Sequence, residues 1–291
     1  MSVVTPTHVL FTVPLWQSEA EVQLCESANQ GGTWVVTNQT PFHPVSHIWP
    51  DHPADKGTIA VGDVSFAVAG CFTGAVDLAT NTLYVGSDIP VKRDEAGWAF
   101  VVVHHIAENV ECKAGERVVL SVDKIHQQAL SRGHSAGHLS SLALNKVLHS
   151  DYWRKDAPRK DELGHYDFHG YAQQQSVVSE DCSTDTYRLG KTLRKRGLNT
   201  ADMLENLNSV KERVNQQLEA WRQDGAAVIM RREGPALTDS RYWQCDLKEG
   251  EVIEIPCGGT HIQSLAEYRA LFVEFQLTSE QELVMITHIK A

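Results

Sequence analysis

The feature that most constrains the fold is a change of period near residue 122. Before it, apolar residues come in short β-branched and aromatic runs at 33–37, 58–61, 64–68, 82–85, 98–103 and 117–122, with Gly, Asp and Asn between them. Several short strands at this spacing predict a small β-barrel over residues 1–122. The stretch from Pro41 to Pro53 holds four Pro and three His and cannot be regular structure. From Asp123 onward the spacing is helical. No Pro interrupts 123–149, and Leu139, Leu142, Ala143 and Val147 fall on one stripe. Residues 150–190 read as polar and irregular. Between 201 and 222, Met203, Leu207, Val210, Val214, Leu218 and Trp221 keep to one face, which predicts a single helix capped by Asn199 or Thr200 and stopped at Asp224-Gly225. Strands are expected at 226–230 and 252–255, then a turn at Cys257-Gly258-Gly259, a short helix at 265–271, and closing strands at 272–277 and 283–289. The expected architecture is α+β, an N-terminal small β-barrel followed by an α+β domain over 123–291.

The net charge of −11 argues against a general nucleic-acid binder. It is unevenly spread. Residues 1–122 carry 5 Lys/Arg against 13 Asp/Glu, whereas residues 154–232 carry 14 against 12 and so hold over half of all the basic side chains. An anionic partner is expected to meet that middle stretch, where Arg188, Lys191, Arg194, Lys195 and Arg196 are the densest cations; the same run also suits a solvated helix face. No apolar run reaches the eighteen or so residues of a membrane helix, and the first residues lack the basic start of a signal peptide. A cytoplasmic protein with no membrane partner is expected. The six Cys are scattered without a C-x-x-C pair, so free thiols are expected, with Cys25, Cys71, Cys112, Cys182 and Cys245 structural or inert.

Candidate chemistry rests on two motifs. His134 and His138, four apart in a helical stretch, point the same way and can grip one metal ion. Cys257-Gly-Gly-Thr-His261 sets a thiol and an imidazole around a glycine turn, and the combined Cys/His set suits zinc. With 14 His in the chain, about one H-x-x-x-H pair is expected by chance, and there are three. Pro44 keeps His43/His47 off a helix, and Gly164 and Gly170 bracket His165/His169, so only His134/His138 sits in a helical pattern. His104 and His105, beside a strand end, read as structural.

Ser131-Arg-Gly-His-Ser-Ala-Gly-His-Leu139 resembles the Arg-x-His-Thr-Ala-x-His-Leu-Leu signature of the alanyl-tRNA synthetase editing domain, and Ile255-Pro-Cys-Gly-Gly-Thr-His-Ile262 is similar to its Cys-Gly-Gly-Thr-His. Val102–Ile106, Gly115-Glu-Arg-Val118, Val122-Asp123, Thr40-Pro-Phe-His-Pro44, Ala54-Asp-Lys-Gly57 and Ile59 extend the likeness to nearly the whole chain. It leaves no aminoacylation domain, which implies a free-standing alanyl-tRNA editing (AlaX-like) protein. The resemblance implies an editing domain of the threonyl/alanyl-tRNA synthetase type. It further implies Zn2+ held by His134, His138, Cys257 and His261, and ATP-independent hydrolysis of mischarged aminoacyl-tRNA at its acceptor end, with Ser- or Gly-charged tRNA for Ala as substrate.

The sequence departs from the family in places. The Gly-Gly-Gly-Gln stretch is replaced by Val45-Ser-His-Ile-Trp-Pro-Asp-His52, Ser135 stands for Thr, and segment 150–195 is longer. Tyr171-Ala-Gln-Gln-Gln-Ser176 is the nearest match to the family's Val-x-Gln-x-Gly-Ser strand, which makes Gln173 a candidate substrate contact or else part of a solvated turn. Four protein ligands normally mark a closed structural zinc site, so hydrolysis requires a fifth coordination position or one loosely held ligand, Cys257 or His261. Two other functions fit the sequence: a zinc-stabilised RNA- or protein-binding module without catalysis, and a hydrolase of a small non-tRNA acyl substrate.

Overall fold

The computed structural model describes residues 3–29, 31–48 and 50–291. Trp49, part of the replaced glycine stretch, lies outside them. The protein is a mixed α+β structure dominated by sheet, and it divides into two compact units. The first gathers the chain up to Gln127 with Arg232–Arg241 and Gly258–Thr260; the second holds Gln128–Arg231, Tyr242–Cys257 and His261–Ala291. No helix among the described residues is long and apolar enough to cross a membrane.

The first unit contains β1 (His8–Val9), β2 (Gln17–Ser27), β3 (Thr33–Thr37), β4 (Gln39–Thr40), β5 (Gly57–Val61), β6 (Val64–Asp77), β7 (Thr82–Val85), β8 (Trp98–Ile106) and β9 (Arg117–Val122). Seven of these form one sheet in the order β5-β9-β2-β3-β8-β6-β7, while β1 and β4 pair in parallel. β5 pairs with both β9 and β6, so the hydrogen-bonded path returns to its first strand. Alternation follows the pleat. On β9, Val118, Leu120 and Val122 are buried while Arg117, Val119 and Ser121 are not, as expected of a strand with one face on a core. Ile59, Val102, Ile106 and Phe42 complete that core. Each such side chain, fully buried, contributes about 1.5–3 kcal/mol.

β2 is the strand the sequence pattern hid. Only Ala20 and Val22 of its eleven residues are fully buried, and its other positions are mostly polar, so no apolar run announces it. It nevertheless lies between β3 and β9. The free-thiol expectation fails here too. Cys25 on β2 and Cys112 form a disulfide, with Cα atoms 5.9 Å apart and 87 residues between them in sequence. Spacing could not reveal it, because the pairing of β2 with β9 is what brings the two segments together.

In place of the glycine stretch the first unit buries a polar cluster. His43 and His52 meet edge to face at 4.3 Å. Asp55 accepts from the His43 backbone N–H at 2.7 Å and from Gln127 Nε2 at 2.6 Å. His52 Nε2 lies 3.2 Å from Thr260 Oγ1.

The second unit is built on α1 (Lys124–Tyr152), which starts at the side chain of Asp123: its Oδ1 accepts from the N–H groups of Ile125 and His126, an N-cap. Then follow α2 (Phe168–Ala172), β10 (Gln173–Ser179), β11 (Cys182–Arg188), α3 (Lys191–Arg196), α4 (Thr200–Glu205), α5 (Leu207–Asp224), β12 (Val228–Arg232), β13 (Arg241–Cys245), β14 (Ile253–Pro256), β15 (Ala270–Ser279) and β16 (Glu282–Lys290). One antiparallel sheet runs β10-β11-β16-β15 and a second joins β12, β13 and β14. Leu139, Leu142, Ala143 and Val147 of α1 share a core with Val210, Val214, Leu218 and Trp221 of α5.

Three expectations change. The helix expected at 201–222 is two, broken at Asn206, whose side-chain amide donates to the Asp202 carbonyl at 2.9 Å. The irregular stretch 150–190 contains the β10–β11 hairpin. Its buried positions on β11 are Ser183, Asp185 and Tyr187, so polar residues occupy the face where apolar ones would have signalled a strand. The helix expected at 265–271 is a single 3-10 turn, Leu265–Glu267, closed by a capping box between Ser264 and Glu267; β15 begins at Ala270.

Candidate metal centre

Four residues of the second unit converge. His134, His138, Cys257 and His261 each offer one ligand atom, and these atoms lie within 4.8 Å of one another. The local chain explains how. Residues four apart on α1 stack on one face, which aligns His134 with His138; their ring centroids are 5.1 Å apart. Gly133 and Gly137 alternate with them and let the helix close on the hairpin. A Cβ at Gly133 would meet the Ser179 and Cys182 carbonyl oxygens at 2.5 and 2.6 Å, and one at Gly137 would meet Ser183 Oγ at 2.9 Å. Cys257 directly follows β14, and the chain turns through Gly258-Gly259 to His261.

Cys257 Sγ lies 3.4 Å from His134 Nε2 and 3.2 Å from His261 Nε2. The His134 and His261 rings stack with centroids 4.2 Å apart. His138 Nε2 is buried and has no hydrogen-bond partner among the described residues. An orphaned nitrogen in such a place has a cost unless something binds it. Burial, aided by nearby His169, holds the His138 pKa down to about 4, so the ring is neutral at pH 7 with its lone pair available. Three imidazole nitrogens and one thiol suit a borderline-soft ion that favours tetrahedral N/S donors. The chemistry of this set fits zinc.

Supporting contacts orient the donors. Ser135 Oγ lies 2.9 Å from His261 Nδ1 and accepts from the Ile262 N–H at 3.2 Å. Trp243, fully buried on β13, faces the His138 ring at 5.3 Å. Tyr268 donates its hydroxyl proton to the Arg132 carbonyl at 2.9 Å. Sequence reasoning missed Trp243 because β13 did not stand out as a strand.

The other candidates fall elsewhere. Gln173 opens β10 and donates through Nε2 to Asp185 Oδ1 at 3.0 Å, so it braces a buried carboxylate. Arg188 ends β11. Lys191, Arg194, Lys195 and Arg196 ride on α3, whose only buried side chain is Leu193. The Arg196 guanidinium lies 4.2 Å from the Tyr171 ring. His43 and His47 belong to the first unit. His165 lies 3.7 Å from Asp161, and His169 Nδ1 lies 3.0 Å from the Tyr187 hydroxyl. His104 is buried within β8, with its ring nitrogens 2.9 Å from Thr40 Oγ1 and 3.1 Å from the Val35 carbonyl.

No family model matches the chain. Over 259 residues, 88% of its length, the chain is 26% identical to alanine–tRNA ligase of Sorangium cellulosum (strain So ce56). The match covers 23% of that relative, so the chain spans less than a quarter of the length of the curated protein that it resembles.

Proposed function

We propose that this protein is a zinc-dependent hydrolase that deacylates mischarged aminoacyl-tRNA, with Ser- or Gly-charged tRNA for Ala as substrate. The observation that carries the reading is the convergence of His134, His138, Cys257 and His261 in a chain similar to an alanine–tRNA ligase. The same reading takes the returning strand path of the first unit as a small barrel over residues 1–122, and residues 123–291 as an editing-type domain.

The four residues would hold zinc, which when bound supplies a Lewis acid for an ester carbonyl and acidifies water. The chain's own groups prepare the place. Neutral His138 binds a cation without first losing a proton. Ser135 fixes the His261 ring through Nδ1 and leaves Nε2 facing the other donors. That support argues against His261 as the displaceable ligand and favours Cys257 or an added coordination position. Trp243 walls the His138 ring and restricts the space beside it. Hydrolysis at a second site is needed because binding alone separates small side chains poorly.

The test is deacylation of tRNA charged with Ser, Gly or Ala. Release of Ser or Gly well ahead of Ala supports the proposal. Release of none of them, with zinc bound, leaves a metal-stabilised binding module. Hydrolysis of small acyl esters alone removes tRNA from the proposal.

A further inference from the structure

We infer that the second unit carries a phosphate-binding pocket formed by Arg154, Lys155 and Arg194, and that its occupant is one nucleotide of an RNA strand. The identity of the strand rests on the tRNA reading above; the pocket itself does not. Arg154 and Lys155 follow the end of α1, and Arg194 projects from α3. Together with residues 197–201 they line a cavity of about 360 Å³, within the range of small-ligand sites.

The pocket is a fixed structure. Trp153 and Leu198 form an antiparallel bridge. The Arg154 N–H donates to the Gly197 carbonyl at 2.9 Å, and the Asn199 N–H donates to the Tyr152 carbonyl at 2.7 Å. Gly197 makes the close approach possible. Its φ is +119°, and a Cβ there would meet Lys155 Cγ at 2.7 Å and the Lys155 carbonyl at 3.0 Å. The floor beneath the three cations is therefore held by backbone hydrogen bonds on both strands.

Charge decides the ligand. In this acidic chain several cations of the second unit already face carboxylates: Arg132 with Asp181, Lys146 with Glu249, Arg159 with Asp167, Arg213 with Asp151, Arg222 with Glu219 and Arg231 with Glu254. Among the described residues, Arg154, Lys155 and Arg194 form no ion pair. Three like charges around one cavity repel one another until an anion enters, and Arg forks match phosphate oxygens bidentately. The sequence points to a run ending at Arg196. Of that run only Arg194 lines the cavity, and its two partners come from a segment some 40 residues earlier.

The experiment compares wild type, the triple variant R154A/K155A/R194A and the control variant K92A/K113A. All five side chains are exposed, so folding is preserved. Binding of a fluorescein-labelled acceptor-stem RNA is measured against salt, and AMP is titrated by NMR. The triple variant is expected to bind RNA at least about tenfold more weakly. Its log–log salt slope should be lower by roughly 0.7–0.9, the contribution of the one phosphate that is no longer neutralised. The control should change affinity less than about twofold. Equal RNA affinity and slope in the triple variant and the wild type overturn the pocket. AMP binding that the triple variant loses, with no RNA binding by wild type, overturns the RNA occupant. Pocket-dependent RNA binding without deacylation sustains this inference and sinks only the hydrolase.

Discussion

Ser135 and His261 are joined across 126 residues of sequence: the serine Oγ sits 2.9 Å from the imidazole Nδ1 and also accepts from the Ile262 N–H. An imidazole that binds metal through Nε2 carries its proton on Nδ1, and a hydrogen-bond acceptor there fixes the tautomer and the ring. Ser135→Ala is therefore expected to lower zinc affinity by about 10–100-fold, read by competition with a chelating dye. Ser135→Thr keeps the hydroxyl and should retain wild-type affinity. Unchanged affinity in the alanine variant would remove Ser135 from the support of the site.

Gly133 and Gly137 predict opposite outcomes for one substitution. Alanine in a helix interior is favoured over glycine by about 0.8–1 kcal/mol. At Gly133 the new methyl would meet two backbone carbonyl oxygens that cannot rotate away, and overpacking costs about 1–3 kcal/mol. Gly133→Ala should lower the urea midpoint. At Gly137 the nearest atom is the Ser183 hydroxyl, on a side chain that can turn, so Gly137→Ala should be neutral or stabilising. Equal midpoints for the two variants would mean that α1 does not pack on the hairpin at Gly133.

The Cys25–Cys112 pair predicts a thiol count. Among the described residues Cys71, Cys182, Cys245 and Cys257 form no disulfide, so alkylation of the denatured, unreduced, metal-stripped protein should label four of the six Cys, and six after reduction. Cross-linking residues this far apart stabilises by roughly 2–4 kcal/mol, so C25S/C112S should unfold at lower denaturant. Six labelled Cys without reduction would contradict the pairing.

Acid should destabilise the first unit. Burial lowers His52 and His104 to about 4 from 6.5. Between those values the unfolded chain binds more protons, so stability is complete above 6.5 and is lost as pH falls toward 4. At pH 5 each histidine costs about 2 kcal/mol. Asp55 opposes this: burial raises it to about 6 from 3.8, which returns about 1.4 kcal/mol at pH 5. The histidines prevail, and the urea midpoint should be lower at pH 5 than at pH 7.5. A midpoint that rises at pH 5 would show that these rings are protonated in the fold.

Legibility followed side-chain period. The His134/His138 pair could be found because α1 carries Leu139, Leu142, Ala143 and Val147 at helical spacing. Cys257 and His261 could be grouped with them by donor chemistry and by family resemblance, since nothing local ties residue 257 to residue 134. β2 was missed because Ala20 and Val22 are its only fully buried side chains. The β10–β11 hairpin was missed because Ser183 and Asp185 line its inner face. The break at Asn206 interrupts a stripe that stays on one face across α4 and α5, so periodicity reads through it. The three-cation pocket depends on the end of α1 meeting residues 197–199, a contact that no spacing encodes.

The most direct test is a zinc titration of metal-stripped protein in which serine release from Ser-charged tRNA for Ala is followed per equivalent of ion added. Activity should be absent at the start, rise linearly and level off at one equivalent per chain, and it should not return in Cys257→Ala. Full activity without zinc, or one tightly bound equivalent with no serine released, would contradict a hydrolytic centre at His134, His138, Cys257 and His261.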